Sequence, residues 1–331
     1  MRALLDSRDR SAPPGPHALT AEPTPAVVSD ADRHARSGLL VGVLCYVLWG
    51  FLPLLFDLLK DTGPVFIVAN RTVWSLFFVG AILVAGRRMG EVRAALADPK
   101  TLRSMIISAL LLAANWLIYV WAVATGQVLE ASFGYFINPL INVAIGMLLL
   151  GERQNAWQIA AIVVAVIAIG IQALGLGRIP YIALSLALSF GFYGFFRKTA
   201  RVSSAGGLFV ETLVLVPLAL AYILWSVLVD HNPAYASPYD LVLLLLTGPA
   251  TSVPLLLFAF AVQRLRLTTI GMIQYVSPSI AFLLAIFVLH EPINATQLLS
   301  FGLIWLSLII YSTDSLLRRN RASGPAPVDT I

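Results

Sequence analysis

Ten apolar runs, each close to twenty residues long, are separated by short polar breaks. They fall at about 38–59, 64–85, 102–124, 129–150, 156–174, 179–197, 206–229, 240–262, 268–289 and 294–313. A hydrocarbon core about 30 Å thick takes roughly 20 apolar helical residues to cross. The runs therefore predict ten membrane-spanning helices. Their length and their lack of alternation exclude barrel strands. The breaks are turn chemistry or charge: KDTGP, GRRMGEVRAALADPK, ATGQ, GERQN, GLGR, RKTARVSSAG, DHNPAYASPYD, QRLR and HEPIN. Several are so short that neighbouring helices must be antiparallel. Composition agrees, with 59% hydrophobic and only 12% charged residues, against about 25% charged in soluble domains.

The two ends differ in kind. Residues 1–36 are rich in Pro, Ala, Asp and Arg and lack the apolar core of a signal peptide. They predict a disordered cytoplasmic tail, and 316–331 predicts a second one. Orientation follows from the basic residues in the loops. With both termini cytoplasmic, nineteen of the 22 Lys and Arg fall on the inner side. Only Lys60 and Arg178 fall outside, and Arg71 lies within a span. The pI of about 9.5 is thus a topology signal in the cell inner membrane, and a nucleic-acid partner is not expected.

Two heptapeptides organise the rest. ERQNAWQ at 152–158 and EPINATQ at 291–297 share the template E-x-x-N-A-x-Q at a spacing of 139. Pro139 and Pro278 stand thirteen residues before the two glutamates. The same shift sets the fourth run on the ninth and the fifth on the tenth. The chain then divides into two five-helix repeats, 38–174 and 179–313. Five is odd, so the second copy enters from the opposite side. Such inverted repeats are a transporter architecture. The expected fold is an all-α integral membrane protein with ten transmembrane helices in two inverted five-helix repeats.

Four stretches carry a family resemblance: LLVGVLCYVLWGFLPLLF, NRTVWSLFF, NWLIYVWAVATGQVLEASFGYFINPLINVAIGMLLLGER and GMIQYVSPSIAFLLAIFVLHEP. They resemble the RarD-like permeases of the EamA branch of the drug/metabolite transporter superfamily, across essentially residues 38–313. The resemblance implies two EamA-like repeats, alternating access without ATP, and export of small metabolites or drug-like molecules. Asn70 precedes Arg71 where many members carry histidine, so no role of that histidine is carried over.

Polar groups within the runs are expensive and therefore informative. Arg71 and Glu211 occupy equivalent places at a shift of 140 and carry opposite charges. As gating or structural charges they are expected to serve opposite faces. Arg71 would seek Glu130, Asp57 or an anionic substrate group. Glu211 would seek Arg197, Lys198 or Arg201. Tyr135, Asn138 and Asn142 share one helical face, and Gln274 with Ser277 matches them in the ninth run. Beside prolines, such stripes suit a cavity wall, and equally suit hydrogen bonds between helices. Asn115, Tyr119 and Tyr193 complete the candidate cavity residues.

No GxxxxGK[ST] or HExxH occurs, and the four histidines lie in tails or loops. No metal, cofactor or catalytic residue is therefore expected, and Glu152 and Glu291 read as architectural. The best reading is a secondary transporter whose partners are a small-molecule substrate and the lipid bilayer. A homodimer is kept as an assembly option. A membrane-embedded sensor or scaffold without transport is the alternative.

Overall fold

The computed structural model describes residues 30–59, 62–125, 127–176, 179–230, 235, 237–288 and 295–322. Every regular element among them is a helix: α1 (Asp30–Leu58), α2 (Pro64–Ala85), α3 (Met89–Ala97), α4 (Pro99–Ala124), α5 (Val128–Leu148), α6 (Ala156–Leu176), α7 (Tyr181–Thr199), α8 (Ser204–Leu228), α9 (Pro238–Arg264), α10 (Leu267–Gln274), α11 (Val276–Phe287) and α12 (Ala295–Ala322). Eight helical segments among the described residues are long and apolar enough to cross a membrane, and Phe133–Leu148 is a shorter apolar one. Leu148, Leu174 and Leu218 turn outward almost bare among many other exposed large apolar side chains, and an apolar surface of that extent suits lipid.

The helix starts follow local chemistry. Pro64 opens α2, where its missing N–H is no loss. Ser203 accepts from the Gly206 amide and Ser237 from the Asp240 amide, capping α8 and α9. At α6 the Asn155 carboxamide oxygen accepts from Trp157 N and Gln158 N, while Gln158 accepts from Asn155 N. This is the reciprocal capping box of an N-x-x-Q pattern. It accounts for the last four residues of the template NAWQ. In the second template Glu291 and Asn294 lie outside the described residues.

Three expectations meet a different structure. The ninth run is two helices, broken at Tyr275 between α10 and α11. Pro278 has no N–H for the Gln274 carbonyl, and Tyr275 N turns back to Met272 O in a tighter three-residue bond. Pro139 sits inside α5 without breaking it. The long break after α2 contains α3, whose Val92 and Ala95 are buried against its neighbours. Its single apolar strip is too short to stand out from a charged loop. The helices also reach into both expected tails, since α1 begins at Asp30 and α12 ends at Ala322.

One end of the bundle gathers the start of α1, α3, the ends of α5, α7 and α9, and the starts of α6, α8 and α10. Gly38 lies against Arg264 and Leu265, Ser203 donates to Glu91, Gln263 donates to Val202 O, and Asn155 donates to Asp314 near the end of α12. Arg87, Arg153, Arg197, Arg201, Arg264 and Arg266 all lie there, so it is called the basic end. The principal packings are α5 on α7 and α10, α6 on α12, α2 on α8 and α9, α1 on α9 and α11, and α4 on α7 and α8.

Candidate functional site

The first polar cluster lies toward the far end. Arg71 is the eighth residue of α2, about 10 Å along the axis at 1.5 Å per residue. Its Nε donates to Thr251 Oγ1 on α9 at 3.0 Å. Its guanidinium lies 4.4 Å from the Trp116 ring centroid on α4, a cation–π arrangement. Tyr119 and Tyr135 meet edge to face with centroids 6.2 Å apart, both within electrostatic reach of Arg71. Four helices thus converge on one cation and three aromatic rings. Tyr135 is half exposed although it lies within the bundle's length. The side chains of Asp57 and Glu130, expected as Arg71 partners, lie outside the described residues. Asn70, beside Arg71, is buried and accepts from the Tyr235 hydroxyl at 2.6 Å.

The second cluster lies at the basic end. Arg197 and Glu211 are both fully buried, with Nη1 to Oε1 at 3.6 Å. Ser108 Oγ donates to the same Glu211 oxygen at 2.5 Å, and Arg197 donates to Ser204 O at 3.1 Å. Gly207 makes the seat: a Cβ there would stand 1.9 Å from Arg197 Nη1. Among the described residues Arg71 and Glu211 do not pair, and Glu211 is served by Arg197. Lys198 instead donates to the carbonyls of Val262 and Leu265, at the junction leading into α10.

The amides and remaining tyrosine fall between the clusters. Asn142 is buried and donates to Gln274 Oε1 at 2.7 Å, tying α5 to α10. Asn115 donates to Leu186 O and Ser189 Oγ, tying α4 to α7. Asn138 is buried, and its Oδ1 makes no hydrogen bond among the described residues. Ser277 is half-buried at the start of α11. Tyr193 lies fully in the core, stacked 5.8 Å from Phe258 at an interplanar angle of 14°. A cavity-wall place for Tyr193 is therefore not what the packing gives it. Ser108, Thr251 and Gly207 were not singled out from sequence. Small and hydroxyl residues are common in helix seams, so nothing marked these three.

Among the described residues no group of His, Cys, Asp or Glu is arranged to hold a metal ion. A surface depression of ≈ 290 Å³ beside Glu91, Asp98 and Arg201 lies at the basic end, away from the arginine–aromatic cluster.

The family model described as "EamA-like transporter family" matches residues 36–173 and again 179–313. An "Uncharacterized transporter" of Vibrio cholerae is 39% identical over 286 residues, covering 86% of this chain and 95% of that protein. "Protein RarD" of Streptomyces exfoliatus is 40% identical over 309 residues, 91% of this chain and 96% of the relative. "Protein RarD" of Escherichia coli K12 is 36% identical over 294 residues, 88% and 99% of the two chains. One solved structure superposes with a TM-score of 0.65 at 18% identity, covering 86% of this chain and 98% of the other, and shares the fold alone. The arginine–aromatic cluster thus sits inside a membrane protein that belongs to the EamA-like transporter family as a RarD-like permease.

Proposed function

We propose that the chain is a secondary transporter that exports small metabolites or drug-like molecules across the cytoplasmic membrane by alternating access. Ten crossings are assigned: the eight long segments with α5 and α7 added, and α10 with α11 counted as one. The observation that carries the reading is the packing pattern. Exchange α1 with α7, α2 with α8, α4 with α9, α5 with α10–α11, and α6 with α12. The pair α5 on α7 then becomes α10–α11 on α1, α1 on α9 becomes α7 on α4, and α2 on α9 becomes α8 on α4, all of which occur. The pairs α2 on α8, α6 on α12 and α5 on α10 map onto themselves. The match covers the principal packings but is not complete, since α7 packs on α9 while α1 on α4 is not among the principal packed pairs. A bundle whose main packings survive exchange of its halves has two near-equivalent ways to tilt, as alternating access requires. A sensor or scaffold has no need of that equivalence.

The basic end is assigned to the cytoplasm by its arginines and lysines. There the buried Arg197–Glu211 pair supports a closed face. Arg71, Trp116, Tyr119 and Tyr135 are the assigned substrate contacts, reached from the far end, with Asn138 and Ser277 deeper on the path. A charged group beside exposed aromatic faces suits an amphipathic small molecule. The test is an untargeted comparison of metabolites outside cells with and without the protein. It is followed by flux of the identified compound into vesicles. A compound that leaves unchanged supports the carrier. No difference in any compound, or a chemically altered product, would overturn it.

A further inference from the structure

Helix α10 is set off from its neighbours along the chain at both ends. Leu265 and Arg266 before it are extended, with φ/ψ of −108/160 and −64/143. Tyr275 after it breaks the helix, because Pro278 supplies no N–H to the preceding turn. Eight residues therefore form a short rod between two breaks in the helical chain.

Its free end is gripped by a residue far away in sequence. The Glu152 carboxylate accepts from Leu267 N at 2.5 Å and from Thr268 N at 2.9 Å. It also accepts from Thr268 Oγ1 at 2.6 Å, and Gln154 Nε2 donates to the same hydroxyl at 2.9 Å. Arg266 Nε lies 3.8 Å from the carboxylate, and its guanidinium also donates to Arg153 O. A carboxylate there satisfies two orphan amides and faces the positive end of the helix dipole. An N-cap normally comes from the residue preceding the helix. Here it comes from the loop after α5, 115 residues earlier.

The body of the rod rests closely on α5. A Cβ on Gly271 would lie 2.5 Å from the Pro139 carbonyl oxygen, so only glycine allows that approach. The Asn142–Gln274 bond closes the same contact near the joint. The grip and the contact together hold α10 across the basic end.

We propose that α10 is the moving leaf of a gate at the basic end, swinging about Tyr275 and latched shut by Glu152. Glu152 is then a positioning residue for transport, acting through α10 on which face is open. The purpose assigned to the movement rests on the transporter reading, whereas the movement itself does not.

The experiment is amide hydrogen exchange on the full chain in lipid nanodiscs, comparing the native protein with Glu152→Gln. Exchange in 267–274 should quicken about five- to tenfold, the factor expected for a lost charged cap. Exchange in 276–287 should stay unchanged, because the joint isolates it. Unchanged exchange in 267–274, or equal quickening on both sides of Tyr275, overturns the proposal. Thr268→Val removes one donor with little change of shape and should give a smaller rise in the same segment. It serves where Glu152→Gln fails to accumulate, and no rise with it overturns the latch. A latch without a gate is excluded by flux in the same preparation: Glu152→Gln must alter the flux at unchanged abundance, and unaltered flux refutes the gate. A native protein that shows the exchange pattern but carries no flux refutes the transporter reading instead.

Discussion

Removing Glu211 should destabilise the bundle far more than its single side chain suggests. The Arg197 guanidinium is fully buried and lies 3.6 Å from Glu211. At an effective dielectric constant of about 20, two unit charges at that separation attract by about 4.6 kcal/mol. Breaking a buried pair from one side typically costs about 3–5 kcal/mol, because the partner charge stays behind unpaired. Arg197 has little else to turn to. Its other contacts are Ser204 O and the Met105 sulfur, and Nε makes no hydrogen bond among the described residues. Glu211→Ala is therefore expected to lose about 3–5 kcal/mol, and Arg197→Met a comparable amount through Glu211. The double variant, with both charges gone, should recover at least about half of the summed loss. Reversible unfolding of the purified protein in mixed micelles, across all four members of the cycle, measures this. Additive losses would show that the charges do not depend on each other. A cost for Glu211→Ala below about 1 kcal/mol, the value of an exposed pair, would refute the reasoning outright.

Gly207→Ala should lower abundance sharply, because its Cβ would overlap Arg197 Nη1 at 1.9 Å; placed on the Arg197→Ala, Glu211→Ala background, which holds neither the guanidinium nor a stranded carboxylate, it should cost little further abundance, measured by quantitative blot of membranes. Asn138→Ala should reduce flux of the identified substrate without lowering abundance, and reduced abundance with normal flux per molecule would make Asn138 a packing residue. Arg71→Ala should abolish flux, and adding Glu211→Ala should not restore it, because the two charges belong to separate clusters; restored flux would sink that separation. Glu91 on α3 is held below the ordinary carboxylate range by its hydrogen bond from Arg88 and then by Ser203. Its contribution is therefore complete above the unfolded carboxylate value and fades as pH falls through the lower folded one. Spin-label mobility at Leu96→Cys should rise only in that acid window, and a rise near neutrality would contradict the assignment.

Much of the bundle was legible because lipid imposes a length. Runs near twenty residues set the long helices, and turn chemistry or charge marked the breaks between them. The missed features are those that length does not encode. Helix α3 has nine residues and buries only a narrow strip, so it looks like charged loop. The break at Tyr275 depends on Pro278, yet Pro139 at the matching place leaves α5 whole; neighbours decide which carbonyl can go without its amide. The site was legible residue by residue but less so as an arrangement. Glu211 could be given Arg197, Lys198 or Arg201 as the nearby cations, and the choice of Arg197 among the three came only with the fold. Placing Arg71 on Trp116 and Thr251 required knowing how α2, α4 and α9 cross. Tyr193 was named among the cavity candidates, and the structure stacks it on Phe258 in the core.

The grip of Glu152 on α10 also bears on how the two matched segments depend on each other. The donors that satisfy this carboxylate, Leu267 and Thr268, belong to the second matched segment, and Glu152 belongs to the first. A chain holding the first segment alone would keep the carboxylate without the helix start that it caps, and the second alone would expose two amides that nothing in it caps. Each segment is thus incomplete at this point without the other.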